Sequence, residues 1–322
     1  NSTSGDLTTI IKKVGIKTVI DLRSDDEALR ANDSLWNFYY PLATAVVEAD
    51  HHPPEPLHNI DPSKQEEMII NGASQHPNGN MSDPEDRDDS STNSSNSGVS
   101  RLSSQMSATK LHATNKLKRY HVNLIGPRFR HDFVLKSVSF TAKTKMAYYH
   151  VRGMRQHMLD LVGNEVFNKI GLTGLYKALL HYSGLEIARA LRVFRHRENY
   201  PILVHCTHGK DRTGIIIALL LSLVGVDQQL VVDDYAKTRL EMQAKYEEMI
   251  SDMRHTGMPP CFADAPPDAM NIALTELRKT YGSVSYYLEL NGITKDMQVD
   301  ITKNLTTDWV PIENTSTANL LS

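Results

Sequence analysis

The chain has 322 residues, 40% of them hydrophobic and 23% charged, enough for one large soluble domain or two small ones. Its net charge is 35 − 38 = −3, so no global positive field draws in nucleic acid or an anionic membrane, and any attraction for a negatively charged substrate has to be local. Cys206 and Cys261 are its only cysteines; two thiols make no disulfide framework, which fits a reducing, cytoplasmic setting and leaves each thiol free for chemistry.

The first residue is Asn1 rather than Met, so the sequence is expected to begin inside a longer protein. Leu7, Ile10, Ile11 and Val14 recur at helical spacing between an N-cap at Asp6 and a stop at Gly15. Thr18 to Leu22 reads as a β-rich strand, followed by Arg23-Ser24 and an acidic Asp25-Asp26-Glu27 that suits a helix N-terminus. After Arg30 the pattern dissolves. Between Asn71 and Ser107 there is no aromatic residue, and Val99 and Leu102 are the only branched aliphatics. Such a stretch buries too little apolar area to offset its ordering entropy, so a disordered insertion is expected over 31–118. Its serines suit a phosphoregulated tether where regulators bind; the alternative is an inert surface loop.

Order resumes near Tyr120, where His121 to Ile125 reads as a strand ended by Gly126-Pro127. Helical patterns run over 136–161 and again after Ser183-Gly184, with Ile187, Leu191 and Phe194 on one face. Pro201-Ile202-Leu203-Val204 is a short apolar strand, and a glycine-containing turn leads from it into an apolar helix starting at Thr213. The apolar run Ile215 to Val224 is about half the length a membrane-spanning helix needs, so it reads as a buried core helix. Further helices are expected over 228–254, over 268–281 and before Gly292.

Between that strand and helix stands His205-Cys206-Thr207-His208-Gly209-Lys210-Asp211-Arg212-Thr213-Gly214. A thiol at a helix N-terminus ringed by backbone N–H groups ionises at roughly 3.5–7.5 instead of about 8.5. The thiolate then attacks phosphorus and forms a phosphocysteine, splitting one hard hydrolysis into two easier steps. Five residues separate Cys206 from Arg212, enough to curl around one tetrahedral anion with their N–H groups turned inward. Thr207, His208, Gly209, Lys210, Thr213 and Gly214 are therefore expected to bind phosphate, Gly209 allowing a backbone shape that a Cβ would obstruct. Arg212 offers two parallel donors to the equatorial oxygens, a fork that lysine does not copy. Thr213 is expected to donate its hydroxyl to the cysteine sulfur, and His205 to fix the loop by hydrogen bonding.

Cys-x5-Arg-Thr-Gly behind an apolar strand and a histidine resembles the signature of the protein tyrosine phosphatase superfamily. The version His-Cys-x-x-Gly-Lys-Asp-Arg-Thr-Gly looks like its bacterial and fungal tyrosine/serine, or dual-specificity, branch, which also includes phosphoinositide-active enzymes. Thr18 to Ser24, Tyr120 to Gly126, Gly171 to Leu175, Asn199 to Val204, Asp234-Tyr235, Tyr281 to Val284 and Tyr287-Leu288 are similar to members as well. The N-terminal Asn-Phe-Arg-Asp-like segment and the further Arg-Ser strand usual in that family are not among the residues from Asn1 onward. The resemblance implies an α/β fold with a central, mostly parallel sheet flanked by helices, and a helical lid over 228–254. The expected domain is thus built from 1–30 and 119–305, interrupted by the insertion and followed by a tail over 306–322.

The leaving oxygen needs a proton donor. Asp211, inside the loop, is the leading candidate, with loop anchoring as its alternative; Asp25, Asp26 and Asp132 follow. Lys210 is expected to meet a second phosphate or acidic head group, as lipid-active members suggest, the alternative being a solvated lysine at the rim. His208 is a rim residue that tunes substrate choice. Arg23 either reaches the active site or makes a structural salt bridge. Cys261 is a spectator. The fourteen histidines show no metal-ligand spacing and His51-His52 lies in the linker, so neither metal nor cofactor is expected. The expected activity is hydrolysis of phosphate monoesters, first of protein phosphotyrosine. A phosphoinositide or inositol polyphosphate phosphatase and a non-catalytic phosphate-binding module are the alternatives.

Overall fold

A computed structural model describes residues 14–30 and 117–306. The helix expected from Asp6 lies almost wholly outside them, as do the insertion, apart from its last two residues, and the tail after 306.

Three short strands form one parallel sheet: β1 (Thr18–Asp21), β2 (Lys118–His121) and β3 (Ile202–His205), in the order β2-β1-β3. The register sets Thr18 opposite Lys118 and Ile202, and Asp21 opposite His121 and His205. Strand β1 is buried at every residue, as expected for a β-branched run covered on both faces. The strand expected over 121–125 starts three residues earlier. The parallel ladder ends at His121, and the Val122 N–H reaches the Asp21 carbonyl at 2.8 Å. Val122 and Leu124 imitate a strand because they are buried as the chain leaves the sheet.

Helix α1 (Asp25–Arg30) follows β1. The expected helical stretch over 136–161 is two helices, α2 (Phe140–Val151) and α3 (Arg155–Val162), separated around Gly153 at φ +66° and preceded by a wide turn over Phe129–Leu135. Ser139 caps α2 by accepting from the Ala142 N–H. Helix α4 (Asn168–Tyr182), kinked at Gly171, has no counterpart in the sequence reading. Helices α5 (Gly184–Arg192) and α6 (Asp211–Leu223) flank β3 in sequence, α6 beginning two residues before Thr213. The expected 228–254 helix is α7 (Gln228–Glu241) and α8 (Tyr246–His255), with a tight turn over Gln243–Lys245 between them. Helices α9 (Pro267–Tyr281), α10 (Val284–Leu290) and α11 (Lys295–Thr306) complete the described chain, α11 being unforeseen.

Ile20 and Leu22 from the sheet, Tyr176 and Leu179 from α4, Ile215, Ile216 and Leu219 from α6, and Leu274 and Leu277 from α9 share one core. The result is an α/β fold whose small parallel sheet is flanked by helices. Among the described residues no helix is long and apolar enough to cross a membrane.

Candidate active site

All three strands point their C-terminal ends the same way, so the segments leaving β1 and β3 meet on one edge of the sheet. Cys206 is the first residue beyond β3 and is buried, with 6% of its surface exposed. The chain then bends through Thr207 to Lys210 and enters α6, whose first turn carries Arg212. Gly209 stands at φ +69°, the left-handed backbone that glycine adopts without strain. Across the mouth of the loop, Arg212 Nη2 donates to Thr207 Oγ1 at 3.1 Å. One turn into α6, a Cβ on Gly214 would lie 3.1 Å from the Tyr235 ring, so glycine lets α7 approach this closely.

Arg212 has a partner that the sequence reading missed. Its Nη1 and Nη2 donate to Glu27 Oε2 and Oε1, each at 2.7 Å, a bidentate pair between α6 and α1. Thr207 donates to Glu27 Oε1 at 2.7 Å, and the Ser24 N–H and hydroxyl reach Oε2 at 2.8 and 2.7 Å. Burial alone would raise the Glu27 carboxyl, but the Arg212 hydrogen bonds and charge, with Thr207 and Ser24, hold it well below the usual carboxylate range. Glu27 therefore presents a full negative charge that fixes where the guanidinium points.

Arg23 takes the structural one of its two expected roles. Its Nε and Nη2 donate to Asp21 Oδ1 and Oδ2 at 2.9 and 2.8 Å, and Arg119 Nη2 adds a third bond to Oδ2 at 2.7 Å. Asp21 is fully buried. Its carboxyl would rise through burial, but Arg23, the His205 charge and Arg119 hold it well below the usual range. His205 lies 3.9 Å from Asp21 through Nε2, and its Nδ1 is 3.1 Å from the Cys206 carbonyl oxygen. Burial lowers the imidazole pKa of His205, against the pull of Asp21. This buried cluster ties the base of the loop to β1 and β2.

Lys210 is not the solvated rim lysine of the alternative reading, and its ammonium is turned into the protein instead of toward a second phosphate. The residue is 1% exposed, and its ammonium donates to Asp211 Oδ1 at 2.6 Å and to the Phe262 and Asp264 carbonyl oxygens at 3.0 and 2.7 Å. All three ammonium donors are thus committed to the protein. Asp211 Oδ1 also accepts from the Tyr176 hydroxyl at 2.6 Å, and Tyr176 lies 2.6 Å from the Tyr235 hydroxyl. Burial, then the charge of Asp211, pushes the Tyr176 hydroxyl well above its ordinary value, so it stays a donor. These are the bonds of an anchor: α4, α7 and the 260–263 turn all grip the C-terminal half of the loop. Lys210→Met would strip one carboxylate and two carbonyls of their shared partner. We expect it to destabilise the fold by about 3–5 kcal/mol, read as a lowered thermal midpoint.

His208 Nε2 sits 3.1 Å from Asp252 Oδ2 of α8, so the helix expected to form a lid touches the loop through this pair. Thr213 Oγ1 is buried without a hydrogen-bond partner, and no bond to the cysteine sulfur is formed. The remaining acid candidates are placed at exposed ion pairs. Asp25 faces His121 at 3.6 Å and Asp26 faces Arg155 at 3.1 Å. Asp132 binds Lys136 and His131, which hold its carboxyl down to about 2. Cys261 is an exposed free thiol on the 260–263 turn. Among the described residues no group of three His, Cys, Asp or Glu is arranged to hold a metal ion.

Of the missed residues, Glu27 carried a readable signal: Ser24-x-x-Glu27 is a capping box, and its reciprocal bonds form. Asp21 and Tyr235 stood in segments that resemble the family but received no role there, and Tyr176 and Asp252 gave no signal, because each reaches the loop from an element distant in sequence.

A family model described as the tyrosine phosphatase family matches residues 1–307. The chain is 33% identical over 110 residues to the triple specificity protein phosphatase PtpB of Mycobacterium tuberculosis, a match covering 30% of this chain and 40% of that protein. It is 30% identical over 131 residues to a tyrosine-protein phosphatase of Nostoc commune, covering 37% and 44%. To the inositol diphosphatase SIW14 of Saccharomyces cerevisiae it is 27% identical over 81 residues, covering 25% and 28%. The chain thus spans less than half the length of these relatives. The family match runs from strand β1 through the cysteine loop to the last described helix, and the chain belongs to the tyrosine phosphatase family.

Proposed function

We propose that the chain hydrolyses phosphate monoesters through a phosphocysteine on Cys206, with protein phosphotyrosine as the first substrate class. The observation that carries this reading is a buried thiol at the start of a bent five-residue loop, with Arg212 across its mouth and α6 behind it. Cys206 attacks phosphorus, the P–O bond breaks and the departing ester oxygen takes a proton from solvent, and water then breaks the S–P bond to release phosphate. The guanidinium of Arg212, aligned by Glu27, stabilises charge on the equatorial oxygens as the loop N–H groups do. The backbone N–H groups of residues 207 to 213 are assigned to the phosphate, Gly209 and Gly214 supplying the shape and the close helix contact. The Asp211 carboxylate is assigned the anchoring role, since it accepts from Lys210 and Tyr176. His208, paired with Asp252, borders the opening and is assigned to substrate choice.

Dual specificity and activity on phosphoinositides or inositol phosphates are the second reading, supported by the similarity to a triple specificity protein phosphatase and to an inositol diphosphatase. A cytoplasmic setting is part of the proposal, because a reducing compartment keeps the Cys206 thiol free for attack. We further propose that one phosphatase domain comprises 1–30 and 119–305, with regulators binding between them.

Rapid mixing with an aryl phosphate should give a burst of phenol equal to the enzyme present, with phosphate trapped on Cys206 after acid quench and turnover blocked by vanadate. Vanadate binding without phenol release would instead establish a phosphate-binding module.

A further inference from the structure

Helix α2 (Phe140–Val151) has two apolar faces, of which the described residues cover only one. Ala142 is its single buried residue, and it packs with Val138 and Val166 in a small cluster apart from the main core. Phe140, Ala147, Tyr148 and Val151 fall on the opposite side of the helix, at spacings of seven, eight and eleven residues from the first. Phe140 is 81% exposed, Val151 84% and Tyr148 53%. Three large apolar side chains in one stripe on a thinly packed helix exceed the scattered exposure of an ordinary surface.

Charge identifies the occupant. At 100° per residue, Lys143 and His150 border the stripe on one side, and Lys145 and Arg152 on the other. The span 128–157 holds seven Lys and Arg against one acidic residue, Asp132, a net 7 − 1 = +6 in a chain whose total is −3. Asp132 is itself neutralised by Lys136 at 2.9 Å. Among the described residues Lys143, Lys145 and Arg152 meet no carboxylate; Arg152 lies over the Tyr148 ring, 5.7 Å from its centroid. An apolar stripe bordered by cations on both flanks is the pattern of a helix that lies in the interface of an anionic bilayer, rings and aliphatic groups inserted and cations at the headgroups.

The position of α2 gives this a purpose. Its partner α3 (Arg155–Val162) reaches α1 through Arg155 to Asp26, the residue before Glu27. Gln156 donates to the Arg254 carbonyl of α8, the helix whose Asp252 meets His208. We propose that the exposed face of α2 docks the protein on an anionic lipid bilayer, bringing the cysteine loop beside the membrane surface. The proposal goes beyond the hydrolytic reading and does not depend on it.

Sedimentation with vesicles tests the docking without turnover. The full chain should pellet with phosphatidylcholine vesicles containing phosphatidylserine, remain in solution with phosphatidylcholine alone, and be released by salt. Phe140→Glu and Val151→Glu should each weaken binding roughly tenfold, and Lys143→Glu or Lys145→Glu roughly fivefold, with circular dichroism and hydrolysis of a soluble aryl phosphate unchanged. Pelleting that ignores phosphatidylserine, or that survives all four substitutions, would overturn the proposal. So would a dimer that Phe140→Glu dissociates in a protein that binds no vesicle, because the stripe would then be covered by a second copy of this chain.

Discussion

Cys206→Ser is expected to lower turnover of an aryl phosphate by about 10⁴-fold or more while leaving vanadate binding in place. A serine hydroxyl at neutral pH is neither ionised nor a good leaving group for the second step, so both halves of the reaction suffer. The anion cradle is independent of that atom. The loop shape comes from Gly209 at φ +69°, from Lys210 pinned to Asp211 and two carbonyls, and from Thr207 bonded to Arg212. Turnover within tenfold of the unsubstituted protein would mean that a different group attacks phosphorus.

Arg212→Lys should cost about 10²–10³ in kcat/KM, most of it in kcat, because the missing donor matters more as charge builds on the equatorial oxygens. The ammonium keeps the charge, and it keeps Glu27 from being stranded, so the fold should survive. What it loses is geometry. Glu27 takes both terminal nitrogens of Arg212 at 2.7 Å, which fixes the plane of the fork, and a lysine has no plane to fix. If Arg212 served only to hold α1 against α6, the same substitution would lower the thermal midpoint and leave kcat nearly intact.

The chemistry of the loop was legible because it is local. Strand, cysteine, five residues, arginine and helix are contiguous in the sequence, and the structure has a strand, a bend and a helix there, the helix starting two residues early so that Arg212 stands in its first turn. Strand β1 was legible for the same reason, its β-branched run being buried at every residue. Strand β2 was misplaced because Val122 and Leu124 alternate like a strand while packing as a turn, and only the pairing of Asp21 with His121 shows where the ladder ends. Helix α4 had no expectation set for it, its helical pattern being interrupted by Gly171 and Gly174. Lys210 was misread because a lysine in a phosphate loop suggests a ligand contact, and the carbonyls that bury it come from residues 262 and 264. The basic face of α2 disappears in a whole-chain charge of −3, since composition averages over surfaces that fold onto different sides.

The capping box at the start of α1 leaves the Arg212 guanidinium mechanically close to the point where the described chain leaves α1. Glu27 closes that box through Oε2 and grips Arg212 through both carboxylate oxygens, and α1 ends three residues later at Arg30. Tension or torque on the chain leaving Arg30 is therefore transmitted through less than one turn of helix to the arginine, with no intervening hinge to absorb it.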